Sequence, residues 1–104
     1  MILLNVTTKD KGQAVEIADF LVSKRLILDA LVTEGTKYKR SENNDIIAEQ
    51  HFLILGKTKA LLFGQIDEIL KEKYGSNMPT IYSVPIINMD WDQSSELIEK
   101  TEKV

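Results

Sequence analysis

The sequence contains no cysteine, which excludes disulfide bonds and thiolate metal ligands. Because nothing ties the chain to an oxidising compartment, we expect a cytoplasmic protein. The apolar residues 1–6 lack a basic preceding segment and give way to polar residues too soon for a signal peptide. No stretch approaches the ~20 apolar residues that a transmembrane helix requires, so we expect no membrane partner.

The chain also lacks a strong excess of charge of either sign. Its 104 residues include 13 basic and 16 acidic side chains, for a net charge of −3. Such a balance disfavours a phosphate backbone, and we expect no nucleic-acid partner. With 43% hydrophobic residues, we expect residues 1–104 to form one domain whose thin core is supplemented by oligomerisation.

The first third of the chain has the pattern of a strand followed by a helix. Residues 2–6 form a short apolar run, typical of a strand buried on both faces. Asp10 and Gln13 have the spacing of a capping box. The apolar stripe of the predicted helix consists of Ala14, Ile17, Ala18, Leu21 and Val22.

A long hairpin is predicted next. Residues 26–32 have a strand-like pattern that continues toward a turn at residues 41–45, and residues 46–55 form the returning arm. Thr58 is placed to cap a second helix, which Gly75 ends. Gly64 within this helix indicates close backbone packing.

The end of the chain predicts an edge strand and a short helix. Pro85 interrupts the strand pattern of residues 79–87, and a proline in a ladder belongs at an edge, a bulge or a subunit contact. Asp90 and Gln93 have the spacing of a helix cap. The element order predicts an α/β (α+β) protein with a ferredoxin-like split β-α-β sandwich, a long central hairpin and a short C-terminal helix.

Three segments, Lys24-Arg25-Leu26, Lys57-Thr58 and residues 79–86, taken in this order, resemble the CutA family, which is named for divalent-cation tolerance. Lys24-Arg25-Leu26 is similar to the start of the family's E-R-L-A-A-C-V-N segment, and Lys57-Thr58 to its K-T. Residues 79–86, P-T-I-Y-S-V-P-I, resemble its P-E-I-I-A-L-P-I strand. The resemblance implies a ferredoxin-like homotrimer, related in architecture to the PII signal-transduction trimers, without implying a settled activity.

The chain departs from the family at the positions associated with copper binding in some members. Asp29 stands where cysteine is usual, and Tyr74-Gly75-Ser76 replaces H-P-Y. Tyr38 of the hairpin motif Y-x-W-E-G is present, but Arg40 replaces the tryptophan. We therefore expect no metal site, no cofactor, and copper binding no tighter than that of a generic surface.

Other potential metal ligands have ordinary structural interpretations. His51 is the only histidine, and we interpret it as an exposed strand residue, the alternative being a site shared by three copies on a three-fold axis. Glu42, Asp45 and Glu49 near the hairpin tip could bind a hard cation. They lack the ligand pattern of a calcium loop, which favours solvated charge at the end of a strand.

Lys57 and Thr58 are the best candidates for chemistry, since a strand-to-helix turn can present amides and a lysine to an anion. A structural cap is the alternative, because no glycine-rich phosphate loop accompanies them. Tyr38 and Tyr82 complete the candidate ligand-binding set, although such aromatic residues are mostly core or interface anchors. No nucleophile–base pair is evident, so we expect no enzyme.

These observations predict a homotrimeric regulatory or scaffold module that responds to a small anionic ligand or an ion. Its ligand would lie in clefts between subunits. The alternative is a PII-like protein that binds a nucleotide or another anion, or a small enzyme, in either case using the turn of Lys57 and Thr58.

Overall fold

Four strands and three α-helices follow one another along the chain, and the computed structural model describes all 104 residues. Short 3₁₀ turns at Ala60–Leu62 and Gly75–Asn77 flank the second helix. The main elements are β1 (Ile2–Thr8), α1 (Lys11–Ser23), β2 (Leu31–Arg40), β3 (Ile46–Thr58), α2 (Phe63–Tyr74), β4 (Thr80–Pro85) and α3 (Trp91–Lys100).

The strands form one antiparallel sheet in the order β2-β3-β1-β4. This order confirms the predicted ferredoxin-like fold. β1 lies in the middle, with Leu4 opposite Gly56 of β3 and Ser83 of β4. Pro85 is the last residue of the edge strand β4, opposite Ile2, where its missing N–H group leaves the ladder intact.

The hairpin of β2 and β3 projects beyond the rest of the sheet. β1 pairs with β3 only from Phe52 to Thr58, whereas β2 pairs with β3 as far as Ile46. The molecule is accordingly elongated, with extents of 48 × 29 × 20 Å. At the turn, the Ser41 N–H donates to the Asp45 carbonyl (2.7 Å).

The core lies between α1, α2 and one face of the sheet. Ile17 and Leu21 of α1 are fully buried, together with Leu4 and Ile54 of the central strands. Because side chains alternate along a strand, residues one position away face the opposite side of the sheet. There Leu31, Tyr82 and Val84 remain 60%, 51% and 41% exposed.

The prediction that β2 begins near Leu26 is wrong. Leu26 and Ile27 are buried in the core, but they lie in a bend that follows α1. Arg25 has a positive φ of 59°, and the Leu26 N–H donates to the Leu21 carbonyl (2.9 Å). The apolar run therefore reflects burial of a turn, and β2 starts only at Leu31.

Two predictions about the second helix are also wrong. Thr58 ends β3 instead of capping α2, and its hydroxyl donates to the Leu26 carbonyl (2.6 Å). A Cβ atom added to Gly64 would meet nothing within 4 Å, so this glycine does not mark close packing. Close packing occurs at Gly56, where a Cβ would lie 2.9 Å from the Asp29 carbonyl oxygen.

The predicted starts of α1 and α3 and the predicted end of α2 are confirmed. Asp10 accepts a hydrogen bond from the Gly12 N–H (2.8 Å) at the start of α1. Asp90 accepts one from the Gln93 N–H (3.1 Å) at the start of α3. Gly75, with a positive φ of 53°, follows the last residue of α2.

Candidate functional site

A cleft of about 830 Å³ lies where the hairpin leaves the sheet. The hairpin contributes Lys37 and Lys39 from β2 and His51 from β3. The turn between β1 and α1 contributes Lys9 and Asp10, and the segment that leads into β4 closes the cleft. Its lining is predominantly polar, which suits a small charged ligand better than an apolar one.

Glu49 of β3 connects three basic side chains at this cleft. Its carboxylate oxygens lie 3.3 Å from Lys9 Nζ, 3.4 Å from Lys39 Nζ and 3.1 Å from His51 Nε2. The hydrogen bond from His51, followed by those from the two lysines, lowers the pKa of Glu49 to about 2. Glu49 is therefore an ionised, paired carboxylate, and the prediction of solvated charge at the hairpin tip is wrong for this residue.

His51 is the cleft residue whose environment differs most from the one predicted from the sequence. The residue is only 9% exposed, so its interpretation as an exposed strand histidine is wrong. Its Nε2 bonds to Glu49, whereas its Nδ1 is buried without a hydrogen-bond partner. A buried polar atom left unpaired costs about 1–3 kcal/mol, and in native proteins it commonly marks an ordered water, an ion or a functional group.

Hydrogen bonds between α1 and neighbouring segments fix the wall of the cleft opposite the hairpin. Gln13 accepts a bond from the Thr8 hydroxyl and donates one to the Asn77 carbonyl (2.8 Å), so it does not complete the predicted capping box. The Tyr74 hydroxyl donates to Glu16 Oε1 (2.6 Å). Burial and this bond raise the pKa of Tyr74, and the bond together with Lys73 lowers the pKa of Glu16.

The four residues predicted to bind a ligand do not come together within one chain. Lys57 lines a second cleft of about 390 Å³, with its Nζ 3.8 Å from the Asp29 carboxylate. Thr58 is fully buried on the other side of the sheet. Tyr82 shares the face of Lys57, and Tyr38, 72% exposed, lies on the opposite face of the hairpin. Their common role in binding stays a prediction.

The chain does not assemble a cluster of metal ligands. No group of three or more histidine, aspartate or glutamate side chains is arranged to hold a metal ion. Glu42 and Asp45 lie exposed in the hairpin turn, away from the paired carboxylate of Glu49. None of the helices combines the length and apolar character needed to span a bilayer.

Comparisons with known proteins identify relatives along most of the chain. A family model described as CutA1 divalent ion tolerance protein matches residues 2–94. The crystal structure of CutA1 from Pyrococcus horikoshii has 25% sequence identity and a TM-score of 0.86, with 99% of this chain and 100% of that one covered. The divalent cation tolerance protein from Thermus thermophilus has 25% identity and a TM-score of 0.84, with coverage of 98% and 100%.

A third similar structure is the periplasmic divalent cation tolerance protein CutA from Archaeoglobus fulgidus. It has 21% identity and a TM-score of 0.84, with coverage of 98% and 100%, and it supports the fold alone. Its periplasmic description means that a cytoplasmic location for the present chain stays a prediction. The sequence matches none of the curated proteins with which it was compared.

Proposed function

The chain belongs to the CutA1 divalent ion tolerance family, and from this premise we propose that it acts as a homotrimeric binding module. The module responds to a small ligand or an ion and is not an enzyme. The observation that carries the proposal is the sheet face opposite α1 and α2, where Leu31, Tyr82 and Val84 remain substantially exposed. Exposed apolar side chains grouped on one face favour burial against further copies.

The two edges of the sheet also support assembly. β4 pairs only with β1, and β2 pairs only with β3, so each edge presents free backbone donors and acceptors. A contact between β2 of one copy and β4 of the next is heterologous, and three such contacts close into a ring. Tyr38 and Ile46 on the hairpin, 72% and 63% exposed, would then be covered by a neighbouring copy.

Light scattering coupled to size-exclusion chromatography tests the assembly. The expected mass is three times the chain mass of 11.8 kDa. Val84→Glu, which places a charge on the uncovered sheet face, should yield monomers. Val15→Glu is the matched control, because Val15 is 53% exposed but lies on α1. A parent protein that is monomeric at micromolar concentration would overturn the proposal.

The alternative function, an anion or nucleotide site at Lys57, has one favourable observation. Lys57 lines a cleft, as a ligand-binding lysine should. Against it, the N–H groups that begin α2 lie further along the chain at Phe63, and the Thr58 hydroxyl is already bonded to Leu26. Calorimetry with a nucleotide panel, using the parent and Lys57→Ala, tests this function, which requires binding that the substitution weakens.

A further inference from the structure

We propose that the cleft at the base of the hairpin binds a small multivalent oxyanion through Lys9, Lys37, Lys39 and His51. The inference deepens the proposed small-ligand role and rests on it, by assigning the site and the chemical class of the ligand. One chain supplies all four side chains.

The three lysines of the site carry more positive charge than the carboxylate of Glu49 can neutralise. Lys9 and Lys39 share the single carboxylate of Glu49, and Lys37 forms no ion pair with any carboxylate. The three lysines and Glu49 therefore retain two positive charges at neutral pH. Ammonium groups of this kind bind the oxygens of phosphates and carboxylates as point charges.

Two acidic side chains line the cleft, and both already have hydrogen-bond partners. The Asp10 carboxylate accepts the Gly12 N–H at the start of α1. Glu16 accepts the Tyr74 hydroxyl and lies 3.6 Å from Lys73 Nζ. These acids are held on the helical wall of the cleft, whereas the lysines at positions 37 and 39 lie on the hairpin. The carboxylates of the cleft thus bond to α1 and its neighbours, whereas Lys37 on the hairpin has no carboxylate partner.

His51 supplies an independent indication of a ligand. Because ionised Glu49 accepts from Nε2–H, the remaining ring nitrogen Nδ1 requires a partner of its own. It is the one buried side-chain polar atom in the chain without a partner, and the residue lines the cleft. Since Nδ1 of the neutral ring is an acceptor, a water held by the bound anion can donate the missing bond, whereas an anion oxygen cannot.

The volume of the cleft indicates a ligand larger than a single inorganic ion. At about 830 Å³ it falls within the range of roughly 300–1,000 Å³ that small-molecule sites occupy. Lysines on both the hairpin and the turn after β1 can then contact separate charged groups of one ligand. We therefore choose two probes that carry several adjacent charges, tripolyphosphate and citrate, which distinguish phosphate from carboxylate recognition.

Titration calorimetry on the full chain tests the site, and Lys57 provides the matched control. The side chains of Lys39 and Lys57 are equally exposed, at 39%, and each is paired with one carboxylate. We expect saturable binding of tripolyphosphate or citrate, weakened roughly ten- to hundredfold by Lys39→Ala or Lys37→Ala, the range for a lost charge-assisted hydrogen bond. Lys57→Ala should leave the affinity unchanged.

Absence of saturable binding by both probes would overturn the proposal. So would binding that Lys57→Ala abolishes and Lys39→Ala spares, because the ligand would then occupy the other cleft. Light scattering on the same samples reports assembly separately, so a failure of the trimer is distinguishable from a failure of the anion site.

A second measurement requires no substitution. His51 is the only histidine, so its ring nitrogen signals in ¹⁵N NMR spectra belong to one residue. Addition of the bound probe should shift the Nδ1 signal. A ring spectrum that stays constant while tripolyphosphate or citrate saturates the protein would contradict the role assigned to His51.

Discussion

The hydroxyl of Thr58 donates a 2.6 Å hydrogen bond to the carbonyl oxygen of Leu26. Thr58 is fully buried, and the bond joins the end of β3 to the bend between α1 and β2. A buried carbonyl that loses its donor retains the cost of its desolvation. The threonine therefore has a structural role that its sequence neighbourhood, which resembles a helix cap, does not indicate.

Thr58→Val preserves the shape of the side chain and removes the donor. We expect the free energy of unfolding to fall by about 1–3 kcal/mol, measured by urea denaturation. Thr101→Val is the matched control, since Thr101 is also buried and donates to the Leu97 carbonyl (2.7 Å). That carbonyl keeps the Thr101 backbone N–H as a donor (3.2 Å), so the control should lose less. Equal losses would contradict the prediction.

Gly56 is the second position where a small change should have a large effect. A Cβ there would lie 2.8 Å from Ile27 Cδ1 and 2.9 Å from the Asp29 carbonyl oxygen, and the backbone atom cannot move aside cheaply. Gly56→Ala should therefore destabilise the fold by about 1–3 kcal/mol, measured by thermal or urea unfolding. Gly64→Ala should instead stabilise it by about 0.5–1 kcal/mol, because a Cβ there meets nothing within 4 Å. A stable Gly56→Ala protein would show that the bend relaxes.

The sheet and helices could be predicted because apolar periodicity records which side of each element is buried. The limit of that signal is visible at Leu26 and Ile27, which are buried as deeply as strand residues but lie in a bend. A run of apolar residues in sequence does not distinguish these two cases. β2 itself starts only at Leu31, where the backbone first pairs with β3.

The contacts of the candidate site could not be predicted from the sequence, because they join residues that are far apart along the chain. Its central contacts join Glu49 to Lys9, which belongs to a different part of the chain, and to Lys39 across the hairpin. Residue type alone suggested that His51 is exposed, whereas its pairing with Glu49 accounts for its burial. One signal was available beforehand, namely that the lysines at positions 37 and 39 must share a face of β2.

Copper binding is expected to be weak. Soft or borderline metal ions require several imidazole or thiolate ligands, and the chain has one histidine and no cysteine. Three lysine ammonium groups around His51 and Glu49 add repulsion toward a cation. Calorimetric titration of the parent with Cu²⁺ should give only weak heat that His51→Ala removes. A stoichiometric complex that survives His51→Ala would reveal a ligand set outside this cleft.

The ion pairs of Glu49 should make stability depend on pH in a defined range. The folded-state pKa of Glu49 is about 2, below the ordinary value of 4.5, because His51, Lys9 and Lys39 favour its ionised form. A depressed carboxyl pKa stabilises the folded state above the ordinary value, and this stabilisation is lost as pH falls toward the folded value. The parent should therefore be more stable than Glu49→Gln at pH 7 and 5.

That advantage should shrink as the pH falls from about 4.5 toward 2, because the unfolded chain then binds a proton that the folded state takes up only near pH 2. Thermal unfolding at pH 7, 5, 4 and 3 provides the measurement. Glu42→Gln removes a carboxylate from the exposed hairpin turn and serves as the control for net charge. A difference between parent and Glu49→Gln that stays constant over this range, or that matches the control, would mean that the contacts of Glu49 with His51 and the two lysines do not stabilise the fold. In that case Lys9 and Lys39 would be free of Glu49 in solution, and Glu49→Gln should leave their affinity for tripolyphosphate unchanged.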